Sequence, residues 1–348
     1  MKYRMLGKTQ LNISEVGCGG IPIQHISQEE VNKLVEKLYE QGVNFIDSAR
    51  GYTTSEEMFG EALKNLRDKF YIATKSMSRS YEDMKRDIDI SLKNFQTDHI
   101  DLYQIHNLRD DNYQGCLQAL LEAKEMGKVN HIGFSSHSVD FALKLISETD
   151  IFETIQIPYN FLELQAVELF KKAHEKNIGV IVMKPVAGGN IDNVTVSLKY
   201  ILSNENVSVA IPGMENIQQV IENTSIEDYN LSKDDLKYIE ETRAYFKNEF
   251  CHRCGYCMPC SVGIDIPSSF TYENYYKKYN LKEWAIARYN GMKVKASACI
   301  ECRKCEQRCP YDLHIVDKLK RVVEVFEHEW WQIQNECRRK RKWSKRRK

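Results

Sequence analysis

The stretch HIDLYQIHNLRDDNYQGCLQALLEAKEMGKVNHIGFSS, residues 99 to 136, carries one full turn of the pattern that decides the fold. HIDLYQIH (99 to 106) is a short apolar run rich in strand-forming residues. LQALLEAKEMGK (117 to 128) spaces its apolar residues helically and has Gly127 near its end, and HIGFSS (131 to 136) returns to a strand-like run. Strand, helix and strand in that order make a βαβ unit, whose two strands lie parallel in one sheet.

The same alternation extends in both directions. VGCGG (16 to 20), FIDSA (45 to 49) and FYIATK (70 to 75) precede it; TIQIPYN (154 to 160), GVIVMKP (179 to 185) and VSVAIPG (207 to 213) follow. Eight strand candidates result, separated by amphipathic stretches such as QEEVNKLVEKLYEQG. Eight βα units in about 245 residues have the size and rhythm of a (β/α)8 TIM barrel. A doubly wound sheet shares the alternation but normally carries a glycine-rich phosphate turn after its first strand, and GCGGIP matches GxGxxG poorly. The leading YRMLGKTQLNIS reads as a hairpin turning at Gly7 and Lys8, expected under the barrel floor.

The chain has 348 residues, 42% of them hydrophobic, enough for a large domain and a small one. Its formal net charge of zero conceals an asymmetry: residues 1 to 250 hold 27 Lys+Arg against 38 Asp+Glu, and the remainder 22 against 11. The composition shift predicts a boundary near residue 250: a barrel over 1–245, a small α-helical iron-sulfur domain over 246–328, and a basic tail over 329–348. No apolar run approaches the ~20 residues of a membrane span, and the first residues show no signal-peptide core, so a cytoplasmic protein is expected.

A reducing compartment makes ligation the better account of clustered thiols among the 11 cysteines. Cys18, Cys116 and Cys337 are isolated and read as small hydrophobes. CIECRKCEQRCP places Cys299, Cys302, Cys305, Cys309 and Pro310 in the C-x2-C-x2-C-x3-C-P run of bacterial ferredoxins, while CHRCGYCMPC supplies Cys251, Cys254, Cys257 and Cys260. In two-cluster proteins the fourth cysteine of a run ligates the other cluster. One [4Fe-4S] cluster is therefore expected on Cys251, Cys254, Cys257 and Cys309, and a second on Cys299, Cys302, Cys305 and Cys260. Zinc on four thiolates is the rival, but zinc sites come as separated pairs, whereas each group here has four thiols in a row. The first group departs from the ferredoxin run, with two residues before its last cysteine and Ser261 after it. The intervening SSFTYENYYKKYNLKEWAIARYNGMKVKASA carries aromatics at helical spacing and is too long for a compact hairpin-based ferredoxin.

In such barrels the chemistry sits at the C-terminal ends of the strands. Asp47, Lys75 and His106 fall there, with Tyr52 in the loop after Asp47. Each alone could be structural: an ion pair, a rim aromatic, a core histidine. Together they form an acid-base set, because a lysine cation brings a tyrosine's pKa of about 10 toward a useful range.

On the stretches YRMLGKTQLNISEVGCGG, FIDSARGYTTSEEMFG, DLYQIH, IGFSSH and IPGMENIQQVIEN, together with Lys75, residues 1 to about 245 resemble the aldo-keto reductase family. With its ferredoxin-like extension the chain is similar to a prokaryotic subfamily. The resemblance implies Tyr52 as proton donor, Lys75 and Asp47 as its electrostatic support, and His106 as orienter of a substrate carbonyl. It further implies a nicotinamide cofactor, NADP(H) or NAD(H), with Ser135 and Gln156 at its carboxamide and Gly213 and Asn223 near its adenosine half. Met183 replaces the usual stacking aromatic and is followed by Lys184, expected toward the phosphates; Ser136 stands where Asn is common. Gly213 and Gln219 occupy positions where many relatives place Lys and Arg against the 2'-phosphate.

The expected activity is reduction of a small-molecule carbonyl, or oxidation of the alcohol, with electrons passing through the two clusters. No flavin motif is visible, and a flavin enters only as a conceivable two-electron intermediary. The alternatives are nicotinamide-linked reduction with structural clusters, and a non-enzymatic redox sensor or nucleic-acid-binding regulator. The tail EHEWWQIQNECRRKRKWSKRRK packs nine basic residues into 338–348 and reads as a solvated segment. Its other readings are an acidic redox partner such as flavodoxin, or nucleic acid, although Trp343 alone is too little aromatic interleaving to argue for base stacking; ferredoxin or flavodoxin is the expected electron partner of the enzyme.

Overall fold

The computed structural model describes residues 1–327; the basic tail, with Cys337 and Trp343, lies outside them. The chain divides into two units, residues 1–240 and residues 241 onward.

The first unit opens with an antiparallel hairpin, β1 (Tyr3–Met5) and β2 (Asn12–Ser14). Eight βα pairs follow. They are β3 (Cys18–Gly19) with α1 (Gln28–Glu40), β4 (Phe45–Asp47) with α2 (Ser55–Ala62), β5 (Tyr71–Ser76) with α3 (Tyr81–Phe95), and β6 (Ile100–Ile105) with α4 (Gln114–Glu125). Then come β7 (Val129–Ser135) with α5 (Val139–Glu148), β8 (Thr154–Pro158) with α6 (Val167–Glu175), β9 (Gly179–Met183) with α7 (Val194–Leu202), and β10 (Val209–Ala210) with α8 (Ile217–Thr224). Strands β3 to β10 lie parallel in sequence order. The sheet closes on itself through parallel bridges Val16/Ala210 and Gly19/Gly213, with Gly17 N–H donating to Ala210 O at 2.9 Å. The expected (β/α)8 barrel is thus observed, all eight strand candidates contributing.

Local signals explain the elements. Helix α1 starts at a capping box, Ser27 with Glu30, and buries Val31, Leu34, Val35 and Leu38 at helical spacing. Strand β6 is buried along its whole length. Its Tyr103 and Ile105 join the layer under the helices, while Leu102 joins the barrel interior. The hairpin plugs the floor: Leu6 and Ile13 are fully buried against Phe45, Ala73, Leu102 and Ile181. Gly7, at φ +53°, bridges to Ile178, and a Cβ there would lie 2.2 Å from the Gly179 nitrogen, so only glycine fits.

Alternation then raises a polar layer above the apolar one. Two residues beyond Phe45, Ala73 and Leu102 come Asp47, Lys75 and Gln104. This places the polar groups toward the C-terminal ends of the strands.

Helix α9 (Lys233–Phe246) runs across the division between the units. The second unit contains α10 (Ile266–Lys277), α11 (Lys282–Asn290), α12 (Lys304–Gln307) and α13 (Ile315–Phe326), and no strand among the described residues. Its small core joins Ile264, Ile266, Leu319 and Val322 with Cys257 and Cys305. Part of the aromatic stripe is core: Tyr289 is fully buried and stacks on Phe326 at 4.4 Å. Tyr272, Tyr275 and Tyr276 are only half-buried.

Candidate functional site

At the barrel mouth, Lys75 Nζ donates to Asp47 Oδ1 at 2.5 Å and to the Ser48 carbonyl at 2.7 Å. Both side chains are almost wholly buried, at 1% and 3% exposure. Burial pushes the Asp47 pKa up, opposed by Lys75 and by the amides of Gln156 and Gln104. Burial likewise pushes Lys75 down, opposed by Asp47 and by the more distant Glu56. Asp47 Oδ2 accepts from Gln156 Nε2 at 3.0 Å and from Gln104 Nε2 at 3.4 Å.

Tyr52 stands over this pair. Its ring centroid is 5.1 Å from Lys75 Nζ, and it meets the His106 ring edge-on at 6.0 Å. Four residues from three successive βα segments therefore converge. The segment carrying Tyr52 is clamped from both sides: Arg50 Nη1 donates to Glu56 Oε2 at 2.6 Å across the turn that contains it. Glu56 is itself buried and also accepts from Thr74 at 2.7 Å and Ser91 at 2.9 Å.

The positions expected to meet a nucleotide are spread around the same mouth. Ser135 and Gln156 are register partners on β7 and β8. Ser135 Oγ accepts the Asn107 N–H at 2.9 Å, and Gln156 Oε1 is buried with no hydrogen-bond partner among the described residues. Lys184 has a left-handed backbone, φ +56°, and its carbonyl accepts from Asn160 Nδ2 at 3.0 Å. Gly213 bridges to Gly19, and Gln219 Oε1 accepts the Glu215 N–H at 2.9 Å. Asn223, 3% exposed, also has a buried Oδ1 without a partner. Two orphaned buried acceptors at expected contact positions fit a ligand carrying amide or amino donors.

Sequence reasoning missed Gln104, Glu56 and Arg50. Gln104 was detectable: it is the polar residue on the inward face of HIDLYQIH, between Leu102 and His106. Glu56 had no such signal, because its partners come from three different elements.

In the second unit the two cysteine runs share one backbone pattern. Left-handed residues fall two after Cys251 and Cys299, at Arg253 and Glu301, and one after Cys254 and Cys302, at Gly255 and Arg303. Burial raises the pKa of Cys251, Cys254 and Cys257, the last to about 12, and Cys309 is close enough to add to all three. Burial also raises Cys299, with the Cys260 and Cys302 thiols adding to it. Cys302 is exposed and is held low by the Lys304 N–H and then by the Ser261 hydroxyl. Arg308 pins the segment leading to Cys260 by donating to the carbonyls of Cys257, Met258 and Pro259 at 2.8, 3.0 and 2.9 Å. No three or more ligating groups among the described residues converge as they would on a single metal ion. The two runs present eight free thiols, a donor set that fits iron-sulfur centres.

Comparison with known proteins agrees with both halves. The model of the aldo/keto reductase family matches residues 6–194, and that of a 4Fe-4S dicluster domain matches residues 250–313. The uncharacterized oxidoreductase YqkF of Bacillus subtilis is 26% identical over 259 residues, covering 69% of this chain and 83% of that protein. L-galactose dehydrogenase of Arabidopsis thaliana is 24% identical over 307 residues, covering 71% of this chain and 96% of that protein. Among solved structures, the holo form of aldo-keto reductase AKR11C1 from Bacillus halodurans superposes with a TM-score of 0.63 at 25% identity, covering 70% of this chain and 96% of that one. With more than half its length matched by one family model and the closed barrel that the fold requires, the chain belongs to the aldo/keto reductase family, as an oxidoreductase whose C-terminal region is a 4Fe-4S dicluster domain.

Proposed function

We propose that the barrel interconverts a small-molecule carbonyl and its alcohol, with Tyr52 as the proton donor. The observation that carries this is the buried Lys75–Asp47 pair beneath the Tyr52 ring, with His106 across from it. The Lys75 ammonium favours the tyrosinate, so Tyr52 can release its proton to a developing alkoxide near neutral pH and recover one in the reverse direction. His106 orients the carbonyl oxygen toward that proton. Gln156 and Asn223 offer their free acceptors to the two ends of a nicotinamide dinucleotide, and Ser135 and Lys184 belong to the same set. When bound, that cofactor supplies or accepts the hydride.

In the second unit, the matching backbone of the two runs and the proximity of Cys309 to Cys251, Cys254 and Cys257 support one [4Fe-4S] cluster on those four. Cys260 beside Cys299 supports a second on Cys260, Cys299, Cys302 and Cys305. The clusters would couple the barrel to a one-electron donor such as ferredoxin or flavodoxin, two electrons passing in succession for each carbonyl reduced to its alcohol, in a reducing cytoplasm where such thiols persist. A structural role for the clusters is the second reading, favoured by Cys257 and Cys305 lying inside the hydrophobic core.

Tyr52→Phe, purified without oxygen, should keep its cluster absorbance and lose turnover. Retained turnover refutes the assigned role. Iron and sulfide should each be near eight per chain; zinc without sulfide refutes the clusters.

A further inference from the structure

We infer that the nucleotide site selects against a phosphate on the adenosine ribose, so that NADH is preferred to NADPH, with Glu215 as the selectivity-determining residue. The inference rests on the nicotinamide reading above and goes beyond it.

In (β/α)8 barrels, phosphate groups lodge at the loops after the seventh and eighth strands and at the N-terminus of a neighbouring helix. Here those elements are the turn after β9, the segment after β10, and α8, capped by Asn216 Oδ1 on the Gln219 N–H at 2.9 Å. Asn223 on the same helix is 3% exposed and keeps a buried acceptor without a protein partner. A buried polar atom left unmatched in this way points to a ligand, and an adenine amino group has the required donor.

The residues between β10 and the first turn of α8 are hostile to an added phosphate. Residues 213–219, GMENIQQ, contain no Lys or Arg and one carboxylate. Glu215 Oε2 is already paired with His25 Nε2 at 2.6 Å, so the imidazole that reaches this segment is engaged by an anion. Gln219 is engaged as well, its Oε1 accepting the Glu215 N–H at 2.9 Å. Nor can position 213 supply a cation in this backbone: a Cβ on Gly213 would stand 2.7 Å from Pro22 Cγ.

A phosphate dianion depends on charge-assisted donors and is repelled by a neighbouring carboxylate. A free ribose diol has the opposite need, since its hydroxyls donate. A carboxylate accepting from the ribose 2'-hydroxyl is how other dinucleotide folds recognise the unphosphorylated cofactor. Glu215, held in place by His25, can do the same.

The test is equilibrium binding to the full-length, cluster-loaded protein, followed by calorimetry with NADH and NADPH separately. Wild type should bind NADH at least tenfold more tightly. Glu215→Lys should move the NADH/NADPH affinity ratio toward NADPH by tenfold or more, and Glu215→Gln by a smaller factor in the same direction; circular dichroism verifies that both variants fold. NADPH binding as tightly as NADH in wild type, or a ratio unmoved by both substitutions, overturns the inference while leaving the nicotinamide reading intact. Binding of neither nucleotide overturns both.

Discussion

Lys75 is a cation at 1% exposure whose counter-ion, Asp47, is at 3%. Burying such a pair usually stabilises a fold less than well-packed hydrophobic residues would, while removing one partner strands a charge at a cost of roughly 3 to 5 kcal/mol. On the proposed mechanism the pair is kept for its field on Tyr52, and two variants separate that purpose from folding. Lys75→Met should lower both stability and turnover, the latter by about 10^3-fold, within the range general acid catalysis contributes. Lys75→Met/Asp47→Asn should recover most of the stability, because no uncompensated charge remains and the amide oxygen still accepts from Gln156. Turnover should stay down. Thermal melting and steady-state rates on the two proteins check this, and recovery of the rate along with stability would remove Lys75 from the mechanism.

At the scale of elements, Glu153 ties three of them together. It lies just before β8 and accepts from Lys124 of α4 at 2.7 Å, from the β7 backbone at Ile132 N–H at 3.0 Å, and pairs with the His131 ring at 2.7 Å. Burial alone would raise its pKa, but His131, Lys124 and the Ile132 N–H outweigh burial and bring it down to about 2 from 4.5. A depressed carboxylate contributes stability that is full above its unfolded pKa and is lost as pH falls through the folded one. The window is therefore pH 4.5 down to about 2. The contribution is up to roughly 3 kcal/mol, less the screening at a side chain that is 13% exposed. Glu153→Gln should flatten the acid limb of the unfolding curve over that window, as measured by urea denaturation at stepped pH. How far such elements can be foreseen follows from the reach of their causes. The eight strands were legible as short apolar runs, even the two-residue β3 and β10, because each run and its flanking helix carry their own periodicity. The convergence of Asp47, Tyr52, Lys75 and His106 was legible too, since strand ends in a barrel share one mouth. The His25–Glu215 pair and the Glu56 network were not, because their partners meet only once the barrel has closed and no local pattern encodes the pairing.

At the scale of the whole molecule, the two units rest on different physics. The barrel has a floor plug, an interior layer and a continuous layer beneath its helices. Among the described residues the second unit has one small core, and two of its members are the thiols Cys257 and Cys305. A core that small is supplemented in natural domains by disulfides or by bound metal, and ligand binding then becomes part of the folding free energy. The cysteines here are free, and burial raises the pKa of both Cys257 and Cys305, so without iron these positions hold neutral thiols. Removing iron anaerobically with a chelator should therefore unfold the second unit and spare the barrel. Limited proteolysis should then cut beyond residue 250 and leave a resistant fragment spanning the first unit, whereas the loaded protein resists in both. Reconstitution with iron and sulfide should restore protection. A second unit that stays protected without iron would show that its fold stands on side-chain packing alone, and the clusters would then be free to serve electron transfer exclusively.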